Sequence, residues 1–185
     1  HPLKTGVFET FCSLAPRRNF GLSRKETTQM KIRRYASSDI DEVIKLFYGT
    51  VHTVNAADYT SEQLDAWAPK DMDASVWDAS LKRHYAVVAV EEGKIIGFGD
   101  IDADGYLDRL YVRAEYIGKG VGTAICNRLE SAVRGNTVTH ASVTARLFFE
   151  KRGYVVVKEQ QVERKGILLA SYIMEKQVKS ETMRV

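Results

Sequence analysis

The 185-residue chain has little cysteine and proline and no long apolar run. Its two cysteines, Cys12 and Cys126, cannot form a disulfide framework and lack the spacing of metal-binding motifs. This scarcity indicates a reducing compartment, so we expect a cytoplasmic protein without a metal site. No stretch approaches the roughly 20 apolar residues that a membrane-spanning helix requires. We therefore expect no membrane partner.

The chain also has almost no excess of charge of either sign, with a formal net charge of only +3. Residues 1–29 contain five basic and two acidic side chains, which accounts for that surplus, and the rest of the chain is balanced. A nucleic-acid-binding domain concentrates basic residues on one surface. We therefore expect no nucleic-acid partner, although a local basic patch for a phosphorylated small molecule is left open.

The length and composition predict one globular domain with a substantial core. Residues 1–29 hold two of the three prolines and show no sustained helical or strand period, whereas an amphipathic pattern begins at Met30. We expect 1–29 to be an N-terminal extension outside the domain, 30–178 to form the domain, and 179–185 to be a C-terminal tail. A basic leader is the alternative for 1–29, but Glu9 argues against it.

The hydrophobic pattern predicts a first strand at Lys31–Tyr35, followed by three helices that begin at Ser38, Thr60 and Asp73. Two of these starts carry capping patterns, Ser38 with Asp41 and Thr60 with Gln63. Apolar strands with short turns between them then predict an antiparallel meander over 85–90, 95–101 and 106–112.

The second half of the chain alternates helices and strands, which predicts a different kind of strand pairing. A helix follows the third strand of the meander, and the later elements are a strand at 137–142, a helix at 144–152, and strands at 154–162 and 167–174. Strands joined through a helical crossover pair in parallel. The predicted fold class is therefore α/β (α+β), with a mixed, mostly antiparallel central sheet flanked by helices.

The stretch YIGKGVG, residues 116–122, places three alternate glycines, Gly118, Gly120 and Gly122, at a strand-to-helix turn. The first N–H groups of a helix have no internal partner and attract anions, and glycine lets a phosphate approach the bare backbone. Lys119 adds a positive charge. A tight turn without a ligand is the alternative. The acidic residue of a dinucleotide fold and the Ser or Thr of a P-loop are both missing at the required spacing.

Two motifs together resemble the GNAT superfamily of acetyl-CoA-dependent N-acetyltransferases. LYVRAEYIGKGVGTAICNRL resembles its pyrophosphate-binding motif, with Ile117 where Arg or Gln is usual, and ARLFFEKRGYVVV resembles its second signature. YTSEQLDAWAP resembles a subgroup of uncharacterised bacterial members. The resemblance covers residues 30–176. It implies transfer of an acetyl group from acetyl-CoA, as co-substrate, to a primary amine of a small molecule or peptide by direct attack.

The resemblance also implies which residues bind the co-substrate. Backbone groups of Leu110, Tyr111 and Val112 would contact the pantetheine arm and the acetyl carbonyl. Ala145, Phe148 and Phe149 would line the other side. The pyrophosphate would be held by the backbone N–H groups of Ile117, Gly118, Lys119, Gly120, Val121, Gly122 and Thr123.

A non-catalytic acyl-CoA-binding sensor or regulatory module on the same fold is the main alternative to an enzyme. A binding or interaction protein that shares only the fold is another. The acceptor does not follow from the sequence, because one fold supports many substrates. A homodimer is left open.

Asp108, on the fourth strand, is our first candidate for the general base, because the acceptor amine must lose a proton before it attacks. Strict alternation would place it on the face of Leu110 and Val112, so a buried, paired carboxylate is the alternative. His52 and His140 are further candidates.

Phe149 stands where many relatives have a tyrosine that can protonate the departing thiolate. We therefore expect the proton to come from water or from another hydroxyl, such as that of Tyr111 or Tyr154. Tyr48, Tyr59 and Trp67 belong to the helical region that covers the acceptor in such folds, where an aromatic wall could contact a cationic or aromatic amine.

Overall fold

The computed structural model describes residues 29–178, in which seven strands form one sheet with helices on both faces. The expectations for residues 1–28 and for the tail at 179–185 fall outside the described residues. The strands are β1 (Lys31–Arg34), β2 (Tyr85–Glu91), β3 (Lys94–Ile101), β4 (Tyr106–Val112), β5 (Thr137–Ser142), β6 (Val155–Arg164) and β7 (Ile167–Lys176). The helices are α1 (Ile40–Thr53), α2 (Ser61–Trp67), α3 (Ala74–Arg83), α4 (Val121–Glu130) and α5 (Arg146–Lys151).

The strand order in the sheet is β1-β2-β3-β4-β5-β7-β6. Every neighbouring pair is antiparallel except β4 and β5, which are parallel and are joined through α4. The prediction of a mixed, mostly antiparallel sheet flanked by helices is therefore confirmed. None of the described helices combines the length and the apolar character that crossing a bilayer requires.

Two apolar layers cover the sheet, one on each face. Along β2, Val87 and Ala89 are buried in the layer that includes α4, whereas Ala86 and Val88 are buried in the layer that includes α1, α2 and α3. This alternation is the two-residue period of a strand that is buried on both sides. The sheet therefore separates a face covered by α4 and α5 from a face covered by the first three helices.

Most predicted boundaries agree with the structure to within two residues, but the start of α1 does not follow the predicted capping pattern. A one-turn 3₁₀ helix at Ser37–Asp39 precedes α1. The Asp39 carboxylate accepts the Ala36 N–H at 2.9 Å and pairs with Arg33 at 2.7 Å. The predicted Ser38 cap is therefore wrong, because Ser38 lies inside the 3₁₀ turn and the Asp39 carboxylate binds back to Ala36 without capping α1.

The second capping prediction is confirmed at the start of α2. The Gln63 N–H donates to the Thr60 hydroxyl at 3.3 Å, and the Thr60 N–H donates to the Gln63 side chain at 2.9 Å. The Gln63 amide also donates to the Leu168 carbonyl at 2.8 Å, which ties α2 to β7. This bond fixes α2 over the β7–β6 side of the sheet.

The sheet opens between β4 and β5. These strands pair only at Tyr106 with Val138 and at Leu107 with Thr139. On its other edge, β4 pairs Arg109 with Asp100 and Leu107 with Ile101, so Asp108 is an extra residue in a β-bulge. Bulges bend a strand and redirect side chains. The strands thus diverge beyond Leu107, which leaves a gap in the middle of the sheet.

Candidate active site

Two cavities meet at the gap between β4 and β5, one mainly on each face of the sheet. The first, of about 450 Å³, is bounded by the end of β4, the Tyr116–Thr123 turn, β5 and α5, and we call it the glycine cleft. The second, of about 350 Å³, is bounded by rings from α1, α2 and α3 and by β6 and β7, and we call it the aromatic cavity. The residues that line both are Trp67, Asp108, Tyr111, His140 and Ser142.

The turn before α4 has a backbone that favours glycine. Gly118 and Gly120 adopt left-handed conformations, with φ of +77° and +83°. No described heavy atom lies within 4 Å of where a Cβ would stand on either residue, so packing does not exclude a side chain there. The glycines therefore meet a conformational requirement and also leave the surface of the cleft open.

Free backbone donors are concentrated at the first turn of α4. The N–H groups of Ile117 and Lys119 are taken, because they donate to the carbonyls of Ala114 and Tyr116. Within residues 29–178, no backbone group accepts from the N–H groups at the start of the helix, at Gly120, Val121, Gly122 and Thr123. The unpaired donors thus begin later than the sequence suggested.

Lys119 and Ile117 differ in their relation to the glycine cleft. The Lys119 side chain is absent from the lining of the cleft, and its ammonium lies 5.0 Å from the centroid of the Tyr116 ring. Ile117 lines the cleft and is 52% exposed. Positive charge at this turn therefore comes from the helix N-terminus, while Ile117 offers an apolar surface at the rim.

The walls of the glycine cleft combine β4 with the aromatic pair of α5. Leu110, Tyr111 and Val112 line it from the strand, and Phe148 and Phe149 line it from the helix. The Val112 carbonyl accepts the hydroxyl of buried Thr50 at 3.0 Å, which connects the end of β4 to α1. A Cβ on Gly122 would stand 3.4 Å from the Phe148 ring.

Asp108 lies where the two cavities meet. Its carboxylate is 30% exposed and lies 3.4 Å from the Arg109 guanidinium. Leu107 and Leu110, three residues apart, both belong to the layer of α4, which shows that the bulge breaks the strand period. Asp108 is thus paired and partly buried, as the alternative expected, but the bulge places it at the gap and not on the face of Leu110.

A second carboxylate lies behind Asp108. Asp100 is fully buried, and its Oδ2 accepts from Arg109 Nη1 at 2.8 Å and pairs with His84 Nδ1 at 2.6 Å. Its other oxygen, Oδ1, has no hydrogen-bond partner among the described residues. Burial raises the pKa of Asp100 to about 6, against the opposing effect of Arg109. One carboxylate oxygen of Asp100 thus has two polar partners, and the other has none among the described residues.

These acidic groups and His84 would also be the natural ligands of a cation in this region. One ligand atom from each of His84, Asp100 and Asp108 lies within 4.8 Å of the others. Arg109 already places a positive charge among them, and its second nitrogen donates to the Ser80 hydroxyl at 2.8 Å. The cluster is therefore an ion-pair network centred on a guanidinium.

Aromatic rings form most of the wall of the aromatic cavity. The Phe47 ring centroid lies 4.7 Å from those of Trp77 and Tyr111, and the Tyr59 ring centroid lies 5.3 Å from that of Trp67. These rings pack mostly edge to face, the arrangement that aromatic quadrupoles favour. The Tyr59 hydroxyl donates to the Ala170 carbonyl and accepts from the Val143 N–H, so it holds the segment before α2 against β7 and the end of β5.

Comparison with known families identifies the fold. A model of the acetyltransferase (GNAT) domain matches residues 55–176. The chain belongs to the GNAT acetyltransferase family. It is therefore an acyltransferase, and the resemblance drawn from the glycine turn and the α5 motif is confirmed at the level of the family.

Individual GNAT proteins show the same relationship. The uncharacterised N-acetyltransferase YafP of Escherichia coli (strain K12) is 32% identical over 145 residues, which cover 78% of this chain and 94% of YafP. A GCN5-related N-acetyltransferase from Rhodopseudomonas palustris has a TM-score of 0.77 at 30% identity and covers 80% of this chain and 95% of its own. PaiA N-acetyltransferase from Thermoplasma acidophilum, in complex with coenzyme A, shares the fold with a TM-score of 0.66 at 18% identity, over 81% and 99% of the two chains.

The candidates for proton transfer in this GNAT chain differ in whether they line the two cavities. His140 lines both cavities, whereas His52 lines neither, and its Nε2 lies 2.9 Å from the Ala68 carbonyl oxygen. Tyr111 lines both cavities, and burial raises its pKa. Tyr154 is buried away from them, where its hydroxyl bonds to Thr137 and Glu130. Asp108, His140 and Tyr111 are therefore the groups that the structure brings together.

Sequence reasoning missed the residues that surround Asp108 in the GNAT fold. Asp100 and Arg109 are charged residues in strands with a mainly apolar sequence, and a buried charge requires a partner. That requirement could have linked them across the meander. Trp77 and Arg164, which also line the aromatic cavity, carried no such signal, because their place depends on how α3 and the β6–β7 hairpin pack.

Proposed function

We propose that this GNAT chain transfers an acetyl group from acetyl-CoA to a primary amine of a small molecule or peptide by direct attack. The observation that carries the proposal is the meeting of two cavities at Asp108 through a gap in the sheet. A donor and an acceptor could then reach one point from different faces. We assign acetyl-CoA to the glycine cleft and the amine to the aromatic cavity.

The pyrophosphate of acetyl-CoA would contact the unpaired N–H groups of Gly120, Val121, Gly122 and Thr123, where the helix dipole favours negative charge. Gly118 would complete this turn and Lys119 would add long-range attraction. The pantetheine arm would run along Leu110, Tyr111 and Val112, whose edge towards β5 is unpaired beyond Leu107. Coenzyme A in the complex of the Thermoplasma acidophilum relative supports this class of co-substrate.

Asp108 would act as the general base, either directly or through one water molecule. A primary amine has a pKa near ~10 and must lose a proton to become a nucleophile. Its nitrogen then forms a bond to the acetyl carbonyl carbon while the bond from that carbon to sulfur breaks. The ammonium proton moves to Asp108, and the second proton that the nitrogen loses as the amide forms passes through water or Tyr111 to the thiolate. Phe149 has no hydroxyl to donate.

The decisive experiment combines a binding measurement with a turnover measurement. Calorimetry should show that acetyl-CoA binds, and a thiol reagent should detect release of coenzyme A when a suitable amine is added. Binding without release for any amine in a broad panel would favour the sensor or regulatory module. Neither binding nor release would mean that the chain shares only the fold of the family.

A further inference from the structure

Positively charged side chains outnumber negatively charged ones in the lining of the aromatic cavity. Among the described residues, its lining contains one carboxylate, Asp108, and two guanidiniums, Arg109 and Arg164. The Arg109 guanidinium already donates hydrogen bonds of 2.8 Å to Asp100 and to the Ser80 hydroxyl. The backbone of Arg164, the last residue of β6, pairs with that of Ile167, and its exposed guanidinium makes no hydrogen bond or ion pair within residues 29–178. The cavity therefore contains one solvent-facing cation that has no carboxylate partner among the described residues.

Arg164 and Asp108 line the same small cavity. Burial raises the pKa of Tyr106 to about 12, and Asp108 adds to this rise whereas Arg164 opposes it, so both charges act on the same hydroxyl. The cavity volume of about 350 Å³ is at the small end of the range for ligand sites. A compact acceptor could thus present one end to Asp108 and another to Arg164.

A hydroxyl without a protein partner in the described part of the chain adds a polar group to the wall of the cavity. Ser171 on β7 lines the cavity, and its Oγ is buried without a hydrogen-bond partner among the described residues. Buried hydroxyls in native proteins are generally paired with protein, water or ligand. The walls around these polar groups are the rings of Phe47, Tyr59, Trp67 and Trp77. The acceptor should therefore combine an apolar, flat body with polar ends.

We propose that the acceptor is a small amine with an aromatic body and an anionic group, such as a carboxylate, that pairs with Arg164. This inference rests on the proposed function. A second ammonium on the acceptor would be disfavoured, because it would face Arg164 and find no further carboxylate in the lining. Polyamines and other dications are thus predicted to be poor acceptors, although they contain good nucleophiles.

The test uses four amines that differ in one feature at a time. They are para-(aminomethyl)benzoate, benzylamine, para-(aminomethyl)benzylamine and trans-para-(aminomethyl)cyclohexanecarboxylate. The kcat/KM for acetylation should be highest for the benzoate, lower for benzylamine and lowest for the diamine. The saturated carboxylate, which lacks the flat ring, should be worse than the benzoate. Equal values for the benzoate and the diamine would overturn the proposal.

Variants of Arg164 separate charge recognition from general damage. Arg164→Gln should lower kcat/KM for the benzoate by about tenfold or more, as expected for a charged hydrogen bond, and lower kcat/KM for benzylamine by a much smaller factor. Arg164→Glu should invert the preference towards the diamine. Arg134→Gln, at an exposed position outside both cavities, is the matched control. Equal losses for the benzoate and benzylamine in Arg164→Gln would contradict the assignment.

Binding of the same amines, measured by calorimetry with coenzyme A present, gives a readout that does not depend on turnover. Tighter binding of the benzoate than of benzylamine, lost in Arg164→Gln, would support the inference even if the chain proved to be a sensor. Acetylation of amines with no preference for the carboxylate would refute this inference and leave the proposed function intact. Failure to release coenzyme A with any amine would instead count against the proposed function.

Discussion

The guanidinium of Arg109 donates a hydrogen bond of 2.8 Å to the buried carboxylate of Asp100. The second nitrogen of the same guanidinium lies 3.4 Å from Asp108 in the gap between β4 and β5. Because Asp100 is fixed in the sheet, it holds Arg109 in place, and Arg109 in turn restricts Asp108. A buried group that never contacts the acceptor can thus position the carboxylate that we propose as the base.

Replacing Asp108 by Asn keeps the shape of the side chain and removes its capacity to accept a proton. We expect kcat to fall by about 10²–10⁴-fold, the usual effect of losing a general base, with little change in acetyl-CoA affinity. The difference in kcat between the variant and the wild type should decrease as the pH approaches ~10, where the amine loses its proton without a base. Asp104→Asn, in the exposed turn before β4, is the control. A kcat within a few-fold of wild type at neutral pH would exclude Asp108 as the base.

Asp100 should give the stability of the protein a distinctive dependence on pH. Its pKa is raised to about 6 by burial, above the ~3.9 of an unfolded aspartate, so the folded state binds the proton more tightly. Its contribution to stability is complete below about pH 4 and is lost as the pH rises through about 6. The difference in unfolding free energy between wild type and Asp100→Asn should shift by about 3 kcal/mol across this window. If the difference in unfolding free energy between the two proteins were the same at pH 4 and at pH 7, this expectation would be contradicted.

Gly120 allows a test of the pyrophosphate site without a difference in backbone strain. Asn and Asp both tolerate the left-handed conformation better than other side chains, and the space beside Gly120 is open. Gly120→Asn should weaken acetyl-CoA binding through bulk alone. Gly120→Asp should weaken acetyl-CoA binding about tenfold more, because its carboxylate repels the pyrophosphate. Added salt should reduce this difference in affinity between the two variants. Folded variants that bind acetyl-CoA like the wild type, measured by calorimetry, would refute the assignment.

Phe149 should matter for packing more than for chemistry. Its ring is buried, with centroids 5.2 Å from that of Phe148 and 5.1 Å from that of Tyr154. Phe149→Leu should lower thermal stability, since it removes part of a buried ring, and keep turnover within about tenfold of wild type, well below the loss of an acid–base group. If the wild type were inert with all amines and Phe149→Tyr gained activity, the enzyme would be a degenerate or regulatory member.

The strands next to the site could be predicted from the sequence because they carry a strong local signal. The bounds of β4 and β5 match the predicted strands at 106–112 and 137–142, and β4 begins directly after the turn residue Gly105. The bulge at Asp108 could not be predicted in the same way, because a bulge is defined by a mismatch with the partner strand. The direction of the Asp108 side chain therefore depended on the register between β3 and β4.

The glycine turn was recognisable because its chemistry is local, whereas the aromatic cavity was not. Gly118 and Gly120 meet a backbone requirement that their own sequence reveals. Trp77 and Arg164 come together only when α3 and the β6–β7 hairpin cover opposite ends of the gap. Such long-range contacts leave no spacing pattern, so the acceptor side had to be inferred from the folded chain.

The gap in the sheet also bears on the order in which reactants meet. If each reactant has its own entrance, neither has to depart before the other arrives, and no acetylated form of the protein is required. Initial rates measured at several fixed amine concentrations should then give double-reciprocal lines that intersect. Acetyl-CoA alone should leave the mass of the protein unchanged. A sheet that separates at Leu107 would in this way favour a ternary complex over a relay through a covalent carrier.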